Sequence, residues 1–157
     1  MLIYLDIDGV MVPANSWRQL KILEDGFPEF SSRATQALNK IIAKTGADIV
    51  LTTSHKTLFS LEQWAAIFNH RHIQVNNISR LPDNVSLLNR KDELLKWFES
   101  QDTNQGFIII DDDKSLNALP DVLKNKLIQT SASVGLTDYL ANEALEILSK
   151  FDIGQDS

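Results

Sequence analysis

Cysteine is absent from the 157-residue sequence. Its absence excludes disulfide bonds and catalysis by a thiol, and it fits the reducing cytoplasm, where we expect the protein to be located. Long apolar runs are also missing, because none approaches the roughly 20 residues that a helix needs to cross a bilayer. The apolar run Leu2–Leu5 is too short for a signal peptide. We therefore expect neither membrane insertion nor secretion.

Basic residues are outnumbered by acidic ones, 15 to 21, which gives a net charge of −6 and an isoelectric point of about 5.0. This charge provides no general attraction for nucleic acid, although a local basic rim is compatible with it. Histidine is also scarce. His70 and His72 alternate like neighbours on a strand, but no third nitrogen or sulfur ligand accompanies them, so we predict no zinc site.

The composition is that of an ordinary globular protein, with 43% hydrophobic and 23% charged residues. A chain of this length can bury a sizeable core within one domain. We place that domain at residues 1–150 and interpret residues 151–157 as a flexible C-terminal tail.

Apolar runs alternate along the chain with segments of helical periodicity, which predicts an α/β fold. The predicted elements are, in order, a strand at 2–5, a helix between 31 and 46, a strand at 48–52, a helix at 58–68, a strand at 72–75, a helix at 90–99, a strand at 107–110, a helical turn at 120–124, a strand at 126–129 and a helix from 137. Strand–helix–strand units favour parallel pairing. We therefore expect a three-layer sandwich with a mostly parallel, Rossmann-like sheet and the first strand at its centre.

Two aspartates one residue apart, Asp6 and Asp8, end the first apolar run, and Gly9 follows them. Carboxylates at the end of a buried strand are costly to desolvate unless a cation or hydrogen bonds compensate. Gly9 allows a sharp turn where a side chain would obstruct a site. Taken alone, the pattern is equally compatible with a simple turn, because aspartate is common at strand ends.

A second apolar run, 107–110, also stops at acidic residues, Asp111, Asp112 and Asp113. Two strands that end in carboxylates suggest a site for a hard divalent cation, which prefers oxygen ligands. We interpret Asp113 as a helix cap or an exposed side chain rather than as a ligand.

In their order along the chain, these stretches resemble the motifs of the haloacid dehalogenase (HAD) superfamily of phosphohydrolases. The resemblance rests on residues 5–10 (LDIDGV), 49–54 (IVLTTS), 90–91 (RK) and 110–112 (IDD). Weaker similarities, at residues 46–50, at Arg90 with Glu93 and Trp97, and at residues 135–137, point to the HAD domains of modular RNA-repair proteins. The segment between residues 10 and 31 is too short for the large cap domain of bigger HAD enzymes.

The resemblance implies a phosphatase mechanism with a covalent aspartyl-phosphate. Asp6 would be the nucleophile, and Asp8 would protonate the leaving alcohol and then activate water. Mg²⁺ would be held by Asp6, the main-chain carbonyl of Asp8, and Asp111. Asp112 would be a further metal ligand, directly or through water, or a residue that orients the others.

The resemblance also implies phosphate-binding residues, although two positions stay open. Thr53 would donate a hydrogen bond to the phosphoryl group, but its neighbours Thr52 and Ser54 offer the same chemistry. Arg90 or Lys91 would neutralise the transferring group; Arg90 has the spacing of the RNA-repair branch, whereas the superfamily usually has lysine there. The expected substrate contacts are Gly9, Arg18, Ser54 and Lys56, with Lys21 as a further candidate. For Arg18, Lys21 and Lys56, solvated side chains are the alternative interpretation.

These observations predict a Mg²⁺-dependent phosphomonoester hydrolase whose leading substrates are phosphorylated nucleic-acid ends. Nucleotides or small phosphometabolites are the alternative substrates. A phosphotransfer receiver module also has acids, a threonine and a lysine around its site, but receivers carry the phosphoacceptor on a middle strand rather than on the first. A HAD-like module that binds without catalysis is the other alternative. We predict no protein partner.

Overall fold

A parallel five-stranded sheet organises the structure, a computed structural model that describes residues 1–14, 20–101 and 105–155. The strand order is β3-β2-β1-β4-β5, so β1 is central. The strands are β1 (Leu2–Leu5), β2 (Asp48–Leu51), β3 (Ile78–Arg80), β4 (Phe107–Asp111) and β5 (Leu127–Gln129). The helices are α1 (Ser32–Thr45), α2 (Leu61–His70), α3 (Arg90–Glu99), α4 (Asp121–Lys124) and α5 (Asp138–Gln155), with a 3₁₀ helix at Lys114–Ala118.

Helices cover both faces of the sheet, as the apolar strands require. Alternate strand residues such as Leu5, Leu51 and Ile110 pack on one face with α1, α2 and α5. Their neighbours Tyr4 and Ile109 pack on the other face with α3, α4 and the 3₁₀ helix. The predicted three-layer α/β sandwich is therefore confirmed, and within the described residues no cap domain covers it.

The helix boundaries follow local capping chemistry. The Ser31 side chain accepts a hydrogen bond from the Ala34 amide at 3.1 Å, which starts α1. Gly46 ends the same helix in the left-handed conformation, with φ of 67°. The Thr137 hydroxyl accepts from the Leu140 amide at 3.2 Å at the start of α5, as the sequence predicts.

The strand predicted at residues 72–75 is wrong. His72 has a positive φ of 64°, which is incompatible with an extended strand, and Ile73 is buried in the core beside α2. The third strand lies instead at Ile78–Arg80, between the predicted strand and the helix predicted at 90–99. It pairs only with β2 and forms the edge of the sheet.

The C-terminal helix α5 continues to Gln155, past residue 150, where the predicted tail begins. The domain boundary and the flexibility of the tail stay predictions. None of the helices in the described ranges combines the length and apolar character that a membrane crossing requires.

Candidate active site

The carboxyl ends of the three central strands place Asp6, Thr52 and Asp111 side by side. The strand pairing continues into these residues, because the Asp6 amide donates to Ile110 O at 3.0 Å and the Thr52 amide donates to Leu5 O at 3.0 Å. Each follows a residue that faces α1 and α5, so the alternation of strand side chains directs all three toward α3.

Three carboxylates meet at this edge of the sheet. Asp6, Asp111 and Asp112 each offer an oxygen, and these oxygens lie within 4.8 Å of one another. Asp6 and Asp111 are buried, and Asp112 is half-buried. A cluster whose donors are all carboxylate oxygens suits a hard divalent cation, so the residues present can hold a metal of that class.

Burial sets the protonation chemistry of the cluster. Burial, followed by the charge of Asp111, raises the pKa of Asp6 to about 9, although Arg90 acts in the opposite direction. Burial also raises the pKa of Asp111, again against the influence of Arg90. A cation among these oxygens would favour their ionised forms.

The turn at Gly9 leaves space for the cluster. Gly9 has φ of 79°, and a Cβ added there would collide with the carboxylate of Asp112. Two hydrogen bonds to its main chain fix the same turn. The Thr130 hydroxyl donates to Gly9 O at 2.7 Å, and the Leu136 amide donates to Val10 O at 2.9 Å. Gly9 therefore shapes the site through its backbone; its predicted contact with substrate stays a prediction.

Arg90, the first residue of α3, is the base that reaches the carboxylates. Its guanidinium Nη1 donates to Asp111 Oδ2 at 2.5 Å and to Thr52 Oγ1 at 3.2 Å, and it lies 3.6 Å from Asp6 Oδ1. Burial acts to lower the pKa of Arg90, but the surrounding carboxylates outweigh it and raise that pKa. Arg90 therefore remains a cation in the site.

Lys91 points elsewhere. Its Nζ lies 3.7 Å from Asp92 Oδ1, and its amide donates to Ser115 Oγ at 3.3 Å. Of the two bases that the sequence offers, the structure brings Arg90 to the cluster and not Lys91.

The second strand presents two buried threonines with different partners. Thr52 bonds to Arg90, whereas Thr53 Oγ1 accepts from the amide of His55 at 3.3 Å. Ser54 is exposed. Thr52 and Thr53 thus both lie at the strand end, and Thr52 shares the face of Asp6.

A histidine that the sequence analysis did not select joins the site. His55 Nε2 lies 2.8 Å from Asp8 Oδ2, and both side chains are about half exposed. Asp8 thus lies outside the three-carboxylate cluster and is held by the loop that follows β2. The only sequence signal for His55 is its position directly after the motif that ends in Ser54.

Lys56 is buried and paired rather than solvated. Its Nζ donates to Glu93 Oε2 at 2.9 Å, and the other Glu93 oxygen lies 3.6 Å from Arg90 Nε. The solvated alternative for Lys56 is therefore wrong. Glu93 connects Lys56 to Arg90, a link that depends on residues far apart in sequence.

Two of the predicted substrate contacts are not found at the site. Arg18 lies outside the described residues. Lys21 is exposed, with its Nζ 3.8 Å from Glu29 Oε2.

Asp113 caps the 3₁₀ helix by accepting from the Ser115 amide at 2.8 Å, which agrees with its interpretation as a cap.

Comparisons with known proteins assign the chain to a family. A family model described as the HAD domain in Swiss Army Knife RNA repair proteins matches residues 2–141. Among solved structures, a hypothetical protein from Xanthomonas campestris is 14% identical, with a TM-score of 0.48 over 99% of this chain and 86% of that chain. A search of curated proteins found no match. With most of its length matched by the family model, the chain belongs to the HAD domains found in Swiss Army Knife RNA repair proteins.

Proposed function

We propose that this domain is a Mg²⁺-dependent phosphomonoester hydrolase that acts through an aspartyl-phosphate on Asp6. Membership of the HAD family supports a phosphatase in general. The observation that carries the proposal is the position of Asp6. Its carboxylate lies 3.6 Å from the guanidinium of Arg90 and has an oxygen within 4.8 Å of oxygens of Asp111 and Asp112. This arrangement offers a nucleophile next to both a positive charge and candidate cation ligands.

The donor set suits magnesium. Asp6, Asp111 and the main-chain carbonyl of Asp8 would hold the ion, with Asp112 as a further ligand or an orienting residue. When bound, the ion would supply positive charge that screens the substrate phosphate from the carboxylates.

The chain's own residues would perform two displacements at phosphorus. A carboxylate oxygen of Asp6 attacks phosphorus while the bond between phosphorus and the oxygen of the leaving alcohol breaks, and this leaving oxygen takes a proton from Asp8. Asp8 then accepts a proton from water, whose oxygen attacks phosphorus and releases Asp6. Arg90, with hydroxyl donors at Thr52 and Thr53, stabilises the charge of the transferring group.

His55 is expected to position Asp8 for proton donation. Replacing His55 with Ala removes the 2.8 Å contact and should lower kcat/KM about 10- to 100-fold for an alkyl phosphate. Hydrolysis of p-nitrophenyl phosphate should lose less in kcat/KM, because its leaving group needs little protonation. Steady-state kinetics on both substrates measures the difference.

His55→Gln keeps a donor near Asp8 and should retain most of the activity. His70→Ala is the matched control, because His70 is an exposed histidine at the end of α2. Equal losses on the two substrates would mean that His55 does not act through the leaving group.

The proposed substrates are terminal phosphates of polynucleotides. The family description names RNA repair proteins, and the absence of a cap domain in the described residues leaves room for a large substrate that itself excludes water. The net charge of −6 opposes non-specific binding, so affinity should be modest and should fall with salt.

This substrate class is tested by comparing kcat/KM for an end-phosphorylated oligonucleotide with that for the matching mononucleotide. We expect the oligonucleotide to be the better substrate, and increasingly so at low salt. Equal or better use of the mononucleotide would favour the small-molecule alternative while leaving the phosphatase assignment intact.

A further inference from the structure

A groove lies directly beside the catalytic carboxylates. It has a volume of about 540 Å³ and includes Ser54, Lys56, Arg90 and Asp113 in its walls. Arg90 belongs both to this groove and to the carboxylate cluster. When a phosphate reaches Asp6, the part of the molecule that carries the phosphate therefore lies next to the groove.

The charges of the groove disfavour a second phosphate. Its two cations are already paired, Lys56 with Glu93 and Arg90 with Asp111. Its acids Asp83 and Asp113 have no basic side chain within 4 Å among the described residues. An occupant that is uncharged and carries hydrogen-bond donors fits these walls better than a phosphodiester.

One part of the groove lining is apolar, and hydrogen bonds fix the loop that carries it. It belongs to the loop at residues 81–89, in which Val85 is 84% and Leu87 is 87% exposed. Asn84 closes this loop, because its Nδ2 donates to Leu88 O at 2.7 Å and its Oδ1 accepts from the Leu88 amide at 2.9 Å. Leu87 has a positive φ of 52°, uncommon for a residue with a side chain.

The apolar wall continues away from the catalytic centre. Val85 and Leu88 also line a second cavity of about 210 Å³, together with Leu81, Pro82 and Trp97. The surface beside the site thus changes from polar near Ser54 to apolar near Trp97. A nucleoside has this same order of chemistry, with a hydroxylated sugar next to the phosphate and a flat, largely apolar base beyond it.

We propose that the groove binds the nucleoside that carries the terminal phosphate, with its base against Val85 and Leu87. This inference rests on the proposed function and extends it to a residue-level preference. The polar walls receive the sugar, and the remaining strand leaves the site without entering the groove. The expected consequence is discrimination against an end that has a phosphorylated sugar but no base.

The test uses two oligonucleotides that differ only at the phosphorylated terminal residue, which carries uracil in one and is abasic in the other. Each is prepared with the phosphate at the 5′ end and at the 3′ end, and kcat/KM is measured with Mg²⁺. We expect the uracil end to be used about tenfold better, the size typical of a lost apolar contact. The double variant V85S/L87S should bring the ratio close to one.

Val122→Ser is the matched control, because Val122 is 72% exposed on α4, away from the groove; it should keep the wild-type ratio. Equal use of the uracil and abasic ends by the wild type, or an unchanged ratio in V85S/L87S, would overturn the groove assignment and leave the phosphatase assignment standing. A wild-type protein that hydrolyses none of the four substrates would overturn both.

Discussion

Replacing Asp6 with Asn is expected to reduce kcat by at least about a thousandfold, as the loss of a nucleophile does in other enzymes. A neutral amide can neither attack phosphorus nor bind a divalent cation well. The same substitution should raise the free energy of unfolding of the metal-free protein, by roughly 1 to 3 kcal/mol at neutral pH. Kinetics on a good phosphomonoester and denaturant unfolding in the absence of metal measure the two effects.

The sign of the stability effect follows from the raised pKa. Burial and Asp111 raise the pKa of Asp6 from 3.8 to about 9, so the folded protein holds this proton more tightly than the unfolded chain. The stability that the wild-type protein gains from holding the Asp6 proton is fully present below pH 3.8 and is lost as the pH rises toward about 9. The gain from Asp6→Asn should therefore grow across that window.

Asp121→Asn is the control for both measurements, because Asp121 is an exposed acid in the first turn of α4. It should leave activity and the pH dependence of unfolding nearly unchanged. Wild-type turnover by Asp6→Asn would exclude this residue as the nucleophile. A stability difference that stays constant with pH would contradict the assigned origin of the stabilisation.

Removal of divalent metal should abolish turnover, and Mg²⁺ should restore it. Three carboxylates share a pocket with the incoming phosphate dianion, and Arg90 alone cannot balance that charge. Saturating Mg²⁺ should also stabilise the fold, by about 2.7 kcal/mol at a concentration 100 times Kd. Activity assays after chelation, and thermal unfolding with and without Mg²⁺, check both statements.

Asp111→Asn should lose most of the Mg²⁺-dependent stabilisation, because it removes a charged member of the cluster. Asp113→Asn is its control, since Asp113 lies two residues further on and caps the 3₁₀ helix instead. Full activity after exhaustive chelation would remove the metal from the mechanism.

The sequence predicted the centre of the fold better than its edge. β1 and β4 are apolar runs that stop at acids, and both are buried in the middle of the sheet. β3 has only three residues and pairs on one side, so it lacks the continuous apolar run that marks a central strand. Ile73 supplied a misleading apolar signal, because it is buried in the core without joining the sheet.

The acidic part of the candidate site followed from sequence because each of its aspartates lies at the end of a strand or directly after it. The choices between Thr52 and Thr53, and between Arg90 and Lys91, could not be made from sequence. The first choice depends on which face of the sheet a side chain takes, and a shift of one residue reverses that face. The second depends on which side chain at the start of α3 reaches the carboxylates. The packing of Leu51 against the α1 layer and the hydrogen bond from Arg90 to Thr52 show that Thr52 turns toward α3.

The remaining contacts are long-range and leave no pattern in the sequence. Lys56 is buried because Glu93, 37 residues later, supplies its counter-charge. His55 meets Asp8 from a loop, where side chains have no periodicity to read. Neither pairing can be found before the positions of β1, β2 and α3 in the fold are known.

The central claim, that phosphate passes through a covalent bond to the protein, is tested most directly by the stereochemistry at phosphorus. The substrate is a phosphomonoester whose phosphorus is made chiral with oxygen isotopes. With Mg²⁺, the wild-type protein transfers its phosphoryl group to an acceptor alcohol present in excess. Two successive in-line displacements, the first by Asp6, predict retention of configuration in the product. Inversion would mean a single direct displacement and would contradict an aspartyl-phosphate intermediate.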